Sequence, residues 1–124
     1  MNETGFAFDS RLDTGFLNIL YKGDKKHAAM IFDQFLKGIH MQMKEVDDNF
    51  SMGNTEIFRL KVHRLKPVLS FVGLTWLTGK AEAIEKECIH MSGTGDITEL
   101  YIDFRNNIIQ FIPVIENELL KLRA

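Results

Sequence analysis

The sequence predicts an all-α protein, an antiparallel up-down four-helix bundle preceded by a short extra N-terminal helix. Apolar residues recur at intervals of three and four over four long stretches, which is the pattern of amphipathic helices that bury one face. Breaks of a few residues separate these stretches, and short connections favour antiparallel neighbours. With 124 residues, 45% of them hydrophobic and 26% charged, the chain has the size and composition of one globular domain.

The N-terminal region predicts one short helix. We expect a helix over residues 13–21 to cover one end of the bundle, because it carries Phe16, Leu17 and Leu20 on one face. Residues 1–9 carry no comparable pattern. We therefore expect a loosely ordered N-terminal segment there and a single bundle domain over residues 10–124.

The first two long helices have clear apolar faces. The first covers residues 24–50, with Asp24 as its capping residue, and its apolar residues are Ala28, Phe32, Phe35, Ile39, Met43, Val46 and Phe50. Asn54 is placed to cap the second, which should end at Gly73. Its apolar residues are Phe58, Val62, Leu65, Leu69 and Val72.

The last two long helices follow in the same way. Residues 74–91 continue the spacing with Leu74, Leu77, Ala81, Ile84, Cys88 and Met91, and the turn Ser92-Gly93-Thr94-Gly95 should end that helix. Asp96 and Glu99 then form an acidic variant of the capping box at the start of the final helix. The apolar residues of that helix are Ile97, Tyr101, Phe104, Ile108, Phe111, Ile115, Leu119 and Leu122.

Two prolines, Pro67 and Pro113, fall inside predicted helices. A proline there removes one backbone donor and costs about 3 kcal/mol unless something compensates. The carbonyl that Pro67 leaves without a helical partner belongs to His63, so we expect a bend just past this histidine.

Composition excludes several functional classes. A formal net charge of −2 argues against a general nucleic-acid binder, and no apolar run approaches the length of about 20 residues that a membrane span needs. The first residues do not resemble a signal peptide, and the single cysteine, Cys88, fits a reducing compartment and a core position. We expect a cytoplasmic monomer that binds neither nucleic acid nor membrane.

One histidine lies on the wrong face for a core residue. On a helical projection, His63 points about 140° away from the apolar sector of its helix. Arg59, Lys66 and Ser70 share the polar face with it, and all three can donate hydrogen bonds. The segment from Arg59 to Lys66 contains four cations and no acid, which predicts a positive patch around an exposed imidazole.

The spacing of His63, Lys66 and Gly73, followed by Leu74 and Leu77, resembles the signature of histidine-containing phosphotransfer (HPt) domains of two-component phosphorelays. The similarity extends over most of the chain in a weaker form. Gly23-Asp24 opens a helix that carries Phe32, Phe35 and Leu36, and Ile84-Glu85 follows the turn at Gly73 as in that family.

The resemblance implies a role for each of these residues. His63 would accept a phosphoryl group from the aspartyl phosphate of a receiver domain and pass it to another receiver, while Lys66 would stabilise the phosphoryl oxygens. Gly73, Ser70 and Arg59 would support the site. The implied partners are response-regulator receiver domains, with a hybrid sensor histidine kinase as a further candidate. The chain would need no cofactor, and magnesium would be held by the receiver.

Two other functional classes remain open. The bundle can be a catalytically silent scaffold or a receiver-binding module, or it can bind a metal through Glu87 and His90, a single Glu-x-x-His pair where a di-iron bundle needs two. An ATP-dependent kinase is not expected. Five residues, not four, separate Gly73 from Gly79, and Ala81 stands where a phosphate loop requires Ser or Thr.

Overall fold

The structure is a computed structural model that describes residues 6–90 and 94–124. It contains five helices, α1 (Thr14–Tyr21), α2 (Lys25–Ser51), α3 (Thr55–Ser70), α4 (Trp76–His90) and α5 (Thr94–Arg123), and no strand in either described range. Helix α2 packs against α3 and α5, and α4 packs against the same two helices. The four long helices therefore surround one core, which confirms the predicted helical bundle with a short N-terminal helix.

The core is built from the apolar faces that the sequence predicts. Its fully buried members include Phe32, Ile39, Phe58, Val62, Leu65, Leu69, Leu77, Ile84, Phe104, Ile108 and Ile115. Cys88 is buried among them, as predicted. None of the described helices is both long and apolar enough to cross a membrane.

Helix α1 closes the end of the bundle at which α3 and α5 end and α4 begins. The Asp13 amide donates a 2.8 Å hydrogen bond to the Gly73 carbonyl, and the Tyr21 hydroxyl donates one of 2.6 Å to the Phe71 carbonyl. The Thr75 hydroxyl donates to Asp13 Oδ2 at 2.5 Å. This region, which comprises residues 6–21, the connection 71–75 and Glu118, is called the closed end below.

The chain before α1 contributes to the closed end. Residues 1–5, where we also expected loose order, lie outside the described part of the chain. Phe6 and Phe8 pack against the core, and the Asp9 amide donates a 2.9 Å hydrogen bond to Glu118 Oε1. The packed part of the chain thus begins before residue 10.

The predicted cap of α2 is confirmed, and a similar cap starts α1. The carboxylates of Asp13 and Asp24 accept hydrogen bonds of 3.0 Å from the amides of Phe16 and His27, which satisfies one of the donors that each helix start leaves free.

Two other helix starts differ from the prediction. Asn54 occupies the N-cap position of α3, but its side chain accepts no capping hydrogen bond; its amide instead donates to Asn49 Oδ1 at 3.3 Å. Helix α5 begins at Thr94, so Asp96 lies in the first turn and not at the cap. The expected start at Asp96 was two residues too late. The first half of the predicted turn, Ser92-Gly93, lies outside the described residues.

Neither proline ends its helix. Helix α3 continues through Pro67 to Ser70, and α5 continues through Pro113 to Arg123. After Pro67 the regular pattern resumes at once, since the Phe71 amide donates to the Pro67 carbonyl at 3.0 Å. The chain gives up one backbone hydrogen bond at each proline and keeps the helix because the faces on both sides are buried in the core.

Candidate functional site

His63 lies in the middle of α3 and presents its ring to solvent. The preceding residue, Val62, is fully buried, whereas 58% of the His63 side chain is exposed. The helix therefore anchors the histidine through its neighbour and turns the imidazole outward. This placement agrees with the face that the sequence predicts for His63.

The ring has a partner that the sequence did not indicate. Glu85, on the adjacent helix α4, places Oε1 2.8 Å from His63 Nδ1, although 22 residues separate the two in the chain. Only 12% of the Glu85 side chain is exposed. Burial raises the pKa of this carboxyl, but contact with the Lys66 ammonium and the His63 ring outweighs burial, so the pKa lies below its usual value.

The ionised state of Glu85 fixes the hydrogen-bonding state of the ring. A carboxylate can only accept hydrogen bonds, so Nδ1 of His63 must carry the proton that is shared with Glu85. In the neutral ring the lone pair then lies on Nε2, the nitrogen that does not face Glu85. The arrangement holds one tautomer of an exposed imidazole, which is what a nucleophilic nitrogen requires.

Lys66 lies one turn after His63 and contacts the same carboxylate. Its Nζ is 2.9 Å from Glu85 Oε2 and 3.7 Å from Glu82 Oε2, and 19% of its side chain is exposed. Glu85 thus joins the imidazole and the ammonium through its two oxygens. His63, Lys66, Glu82 and Glu85 are called the His63 cluster below.

The three residues expected to support the site lie in different places. Arg59 is on α3 one turn before His63, but its guanidinium pairs with Glu56 at 2.5 Å. Ser70 is the last residue of α3, about 10 Å along the helix axis from His63. Gly73 lies beyond the end of α3, at the closed end.

Gly73 satisfies a backbone requirement of the closed end. Its φ is +84°, and an added Cβ would lie 2.7 Å from Leu17 Cδ1 and 2.9 Å from Leu12 Cβ. A glycine is needed there for the exit turn and for the close approach of the chain around α1. Gly73 therefore serves a tight turn and a close approach at the closed end, away from His63.

The positive patch is smaller than the sequence predicts. Of its four cations, Arg59 pairs with Glu56, Lys61 lies 3.4 Å from Glu45, and Lys66 is held by the two glutamates of α4. Among the residues that the structure describes, no carboxylate lies within ion-pair distance of Arg64. The charge of most of the patch is therefore balanced by acids from the same helix or from its neighbours.

The other histidines are not part of a comparable cluster. His27 packs edge-on against Tyr21, with 5.2 Å between the ring centres, and His40 and His90 are exposed on α2 and α4. Over residues 6–90 and 94–124, no group of three or more histidine, cysteine, aspartate or glutamate side chains is arranged to hold a metal ion.

Sequence reasoning did not place Glu82 and Glu85 beside His63 and Lys66. A weak signal was available for Glu85, because it follows Ala81 by four residues and adjoins Ile84, so it borders the buried face of α4. A glutamate at the edge of a core is expensive to bury without a cation, and the sequence places two donors, His63 and Lys66, on the exposed face of the preceding helix.

Comparisons with models of protein families, with curated proteins and with solved structures give no significant match to this chain.

Proposed function

We propose that this protein is a phosphorelay intermediate that accepts a phosphoryl group on His63 from a receiver-domain aspartate and passes it to another receiver. The observation that carries the proposal is the 2.8 Å contact between His63 Nδ1 and a buried, ionised glutamate, which leaves the second ring nitrogen free on an exposed side chain. Neutral imidazole is a good nucleophile near neutral pH because one nitrogen keeps its lone pair.

The transfer step is a displacement at phosphorus. The lone pair of His63 Nε2 forms the new N–P bond while the P–O bond to the donor aspartate breaks, and the electron pair of that bond returns to the aspartate carboxylate. The proton on Nδ1 stays in place, so no base has to remove it. The reverse displacement, by the aspartate of a second receiver, passes the group on.

The neighbours of His63 match the charges that develop in this step. The ring becomes positive as its lone pair forms the bond, and the Glu85 carboxylate lies where it can stabilise that charge. The phosphoryl oxygens are negative, and Lys66 is one helical turn away. Phosphoryl transfer depends mostly on such positioning and charge neutralisation, so a small helical surface suffices.

In this proposal the protein is a carrier and not a kinase. The receiver would supply the magnesium ion and the acidic pocket, and the exposed Arg64 beside the site would face that pocket. We propose response-regulator receiver domains as the partners, with a hybrid sensor histidine kinase as a further source of the phosphoryl group.

The test is labelling by a phosphorylated receiver domain. The wild-type protein should acquire a label that is stable to alkali and labile to acid, and His63→Gln should acquire none. His40→Gln is the matched control, because it removes another exposed histidine from a different helix and should label normally. The phosphorylated nitrogen is identified by NMR of protein labelled with ¹⁵N in its histidines, and it should be Nε2.

The outcomes separate the alternatives. Equal labelling of wild type and His63→Gln would place the phosphoryl group on another residue and contradict the proposal. Binding of the receiver without labelling of the wild type would instead indicate the receiver-binding module.

A further inference from the structure

The His63 cluster contains a second carboxylate that the transfer step does not use. Glu82 lies one turn before Glu85 on α4, and its Oε2 is 3.7 Å from Lys66 Nζ. The Glu82 side chain is 59% exposed, whereas that of Glu85 is almost buried. Lys66, the cation that would neutralise a phosphoryl group, is therefore already shared between two acids.

We propose that Glu82 is a positioning residue that competes with the phosphoryl group for Lys66 and so limits how readily His63 becomes phosphorylated. This inference rests on the proposed function of His63. It assigns to Glu82 a regulatory effect on the same site, exerted through Lys66 and not by contact with the reacting atoms.

The formal charges of the cluster are the first argument. In the reactive form, in which the imidazole is neutral, the two carboxylates and one ammonium give the four side chains of the cluster one formal negative charge before any phosphoryl group arrives. A phosphoryl group adds a charge of about −1.5 to −2. The nearby Arg59 does not offset this, because Glu56 already balances it at 2.5 Å. Arg64, which has no carboxylate within ion-pair distance among the described residues, adds one positive charge beside the cluster. Neutralising Glu82 still removes a negative charge next to Lys66 and so lowers the repulsion that an anionic donor meets.

The difference in burial determines which acid releases Lys66. If Lys66 turned away from Glu85, a nearly buried carboxylate would lose a counter-charge that water cannot replace. Glu82 is exposed and lies farther from the ammonium, so water can solvate it when Lys66 moves.

Lys66 contacts both acids at once. Its Nζ lies 2.9 Å from Glu85 Oε2 and 3.7 Å from Glu82 Oε2, so the contact with Glu85 is the closer of the two. An ammonium on a flexible four-carbon stem can keep such a contact with Glu85 while it exchanges Glu82 for a phosphoryl oxygen.

The experiment uses phosphoramidate, a small donor that phosphorylates imidazole without any partner protein. The His63 Nε2 lone pair forms the N–P bond while the P–N bond of the donor, which is protonated on its nitrogen, breaks; the electron pair of that bond leaves with ammonia. The rate of labelling is followed by ³¹P NMR for wild type, Glu82→Gln, Glu82→Lys and Glu116→Gln. The last variant is the matched control, since it neutralises an exposed glutamate on α5.

We expect Glu82→Gln to label roughly two- to fivefold faster than wild type, the size typical of one exposed charge, and Glu82→Lys to label faster still. Glu116→Gln should match the wild type. The gain should shrink towards about 1 M salt, where the Debye length falls to about 3 Å, because its cause is electrostatic. Since Glu82 is exposed, the unfolding midpoints of its variants should stay near that of the wild type.

The remaining outcomes contradict either the role of Glu82 alone or both proposals. Equal or slower labelling of Glu82→Gln, in a protein whose wild type labels at His63, overturns the role of Glu82 and leaves the carrier function intact. A gain that is independent of salt, or one that Glu116→Gln shares, overturns it as well. Absence of any label on wild-type His63 overturns both proposals.

Discussion

At the closed end, Glu118 is fully buried, its Oε2 lies 2.6 Å from Lys121 Nζ, and its Oε1 accepts the amide of Asp9. In the His63 cluster, Glu85 is nearly buried and lies 2.9 Å from Lys66 Nζ, and its other oxygen contacts an exposed imidazole. The two regions thus contain the same pair, a glutamate withdrawn from solvent and a lysine, with different third partners.

The third partner decides what each pair can do. A backbone amide is inert, so the Glu118 pair holds the N-terminal segment against α5 and leaves no reactive group. An imidazole is a nucleophile, so the Glu85 pair orients a group that can react. A buried ion pair alone therefore indicates neither stability nor function. Substitutions at the closed end should change folding, and those in the His63 cluster should change labelling.

The largest effect is expected for Gly73→Ala at the closed end. The substitution places a Cβ 2.7 Å from Leu17 Cδ1 and forces alanine to adopt a φ of +84°. We expect a loss of about 3 kcal/mol in the free energy of unfolding, from backbone strain and overpacking together. Urea unfolding followed by circular dichroism measures it.

Gly79→Ala is the control for this substitution. Gly79 lies inside α4, where an added Cβ meets nothing within 4 Å, so alanine should stabilise the protein by about 0.5–1 kcal/mol. Folded Gly73→Ala protein should label at His63 at the rate of the wild type. Loss of labelling in a fully folded sample would show that Gly73 contributes to the phosphorylation of His63 and not only to the packing of the closed end.

The next largest effect is expected for Glu85→Gln in the His63 cluster. A neutral amide no longer stabilises the positive charge that develops on the ring, and it can donate to Nδ1 and so favour the wrong tautomer. A charge-assisted hydrogen bond contributes about 1.5–3 kcal/mol, so labelling should slow roughly ten- to hundredfold. The rate with phosphoramidate is the measurement.

Glu118→Gln tests whether this effect is local. It neutralises the buried glutamate of the closed end, so it should alter stability and leave the labelling rate per folded molecule unchanged. A similar slowing in both variants would indicate that the bundle, and not the contact with His63, controls the rate.

Much of the fold could be predicted because it depends on local patterns. The apolar spacing of α2 and α3 gives the buried faces directly, and Asp24 accepts the capping hydrogen bond that its position implies. The start of α5 was misplaced because residues 94–96 combine a glycine with polar residues and resemble a loop, whereas the helix includes them. Asn54 lies at the predicted N-cap position, but its side chain donates to Asn49, five residues earlier, and accepts no capping hydrogen bond.

The site was only half predictable. The exposed face of His63 follows from the period of α3 alone. The contacts of Glu85 with His63, and of Glu45 with Lys61, join different helices and depend on how those helices are rotated and shifted along each other. One sequence does not determine these quantities, so the acids that balance the predicted positive patch could not be assigned in advance.

A smaller effect, with a defined pH dependence, is expected for Asp13→Ala at the closed end. Hydrogen bonds from the Thr75 hydroxyl and the Phe16 amide lower the pKa of Asp13. A carboxylate whose pKa is lower in the folded state stabilises the fold above its unfolded pKa, and that stability is lost as the pH falls through the folded value. Asp13→Ala should therefore cost about 1 kcal/mol at neutral pH, the usual loss for a helix cap, and less below about pH 4.

Asp13→Asn separates the contribution of the charge to stability from that of the capping hydrogen bond. An asparagine keeps an oxygen that can accept from the Phe16 amide, so it should lose less stability than alanine at neutral pH. Its stability relative to Asp13→Ala should not change between neutral and acid pH, because neither side chain titrates there. Unfolding in urea at neutral pH and near pH 3 distinguishes these cases, and a difference between wild type and Asp13→Ala that grows on acidification would contradict the stated direction of the pKa shift.

The smallest effect is expected for Arg59→Gln, within one turn of His63. Its guanidinium is paired with Glu56, so its removal, like that of most exposed pairs, should change the labelling rate by less than about twofold. Lys66→Gln should slow labelling roughly tenfold, because it removes a charge-assisted contact to the phosphoryl oxygens. Glu56→Gln would release Arg59 and should accelerate labelling slightly. A tenfold slowing by Arg59→Gln would show that Arg59 exchanges Glu56 for the phosphoryl group, and the cluster would then contain a second mobile cation beside Lys66.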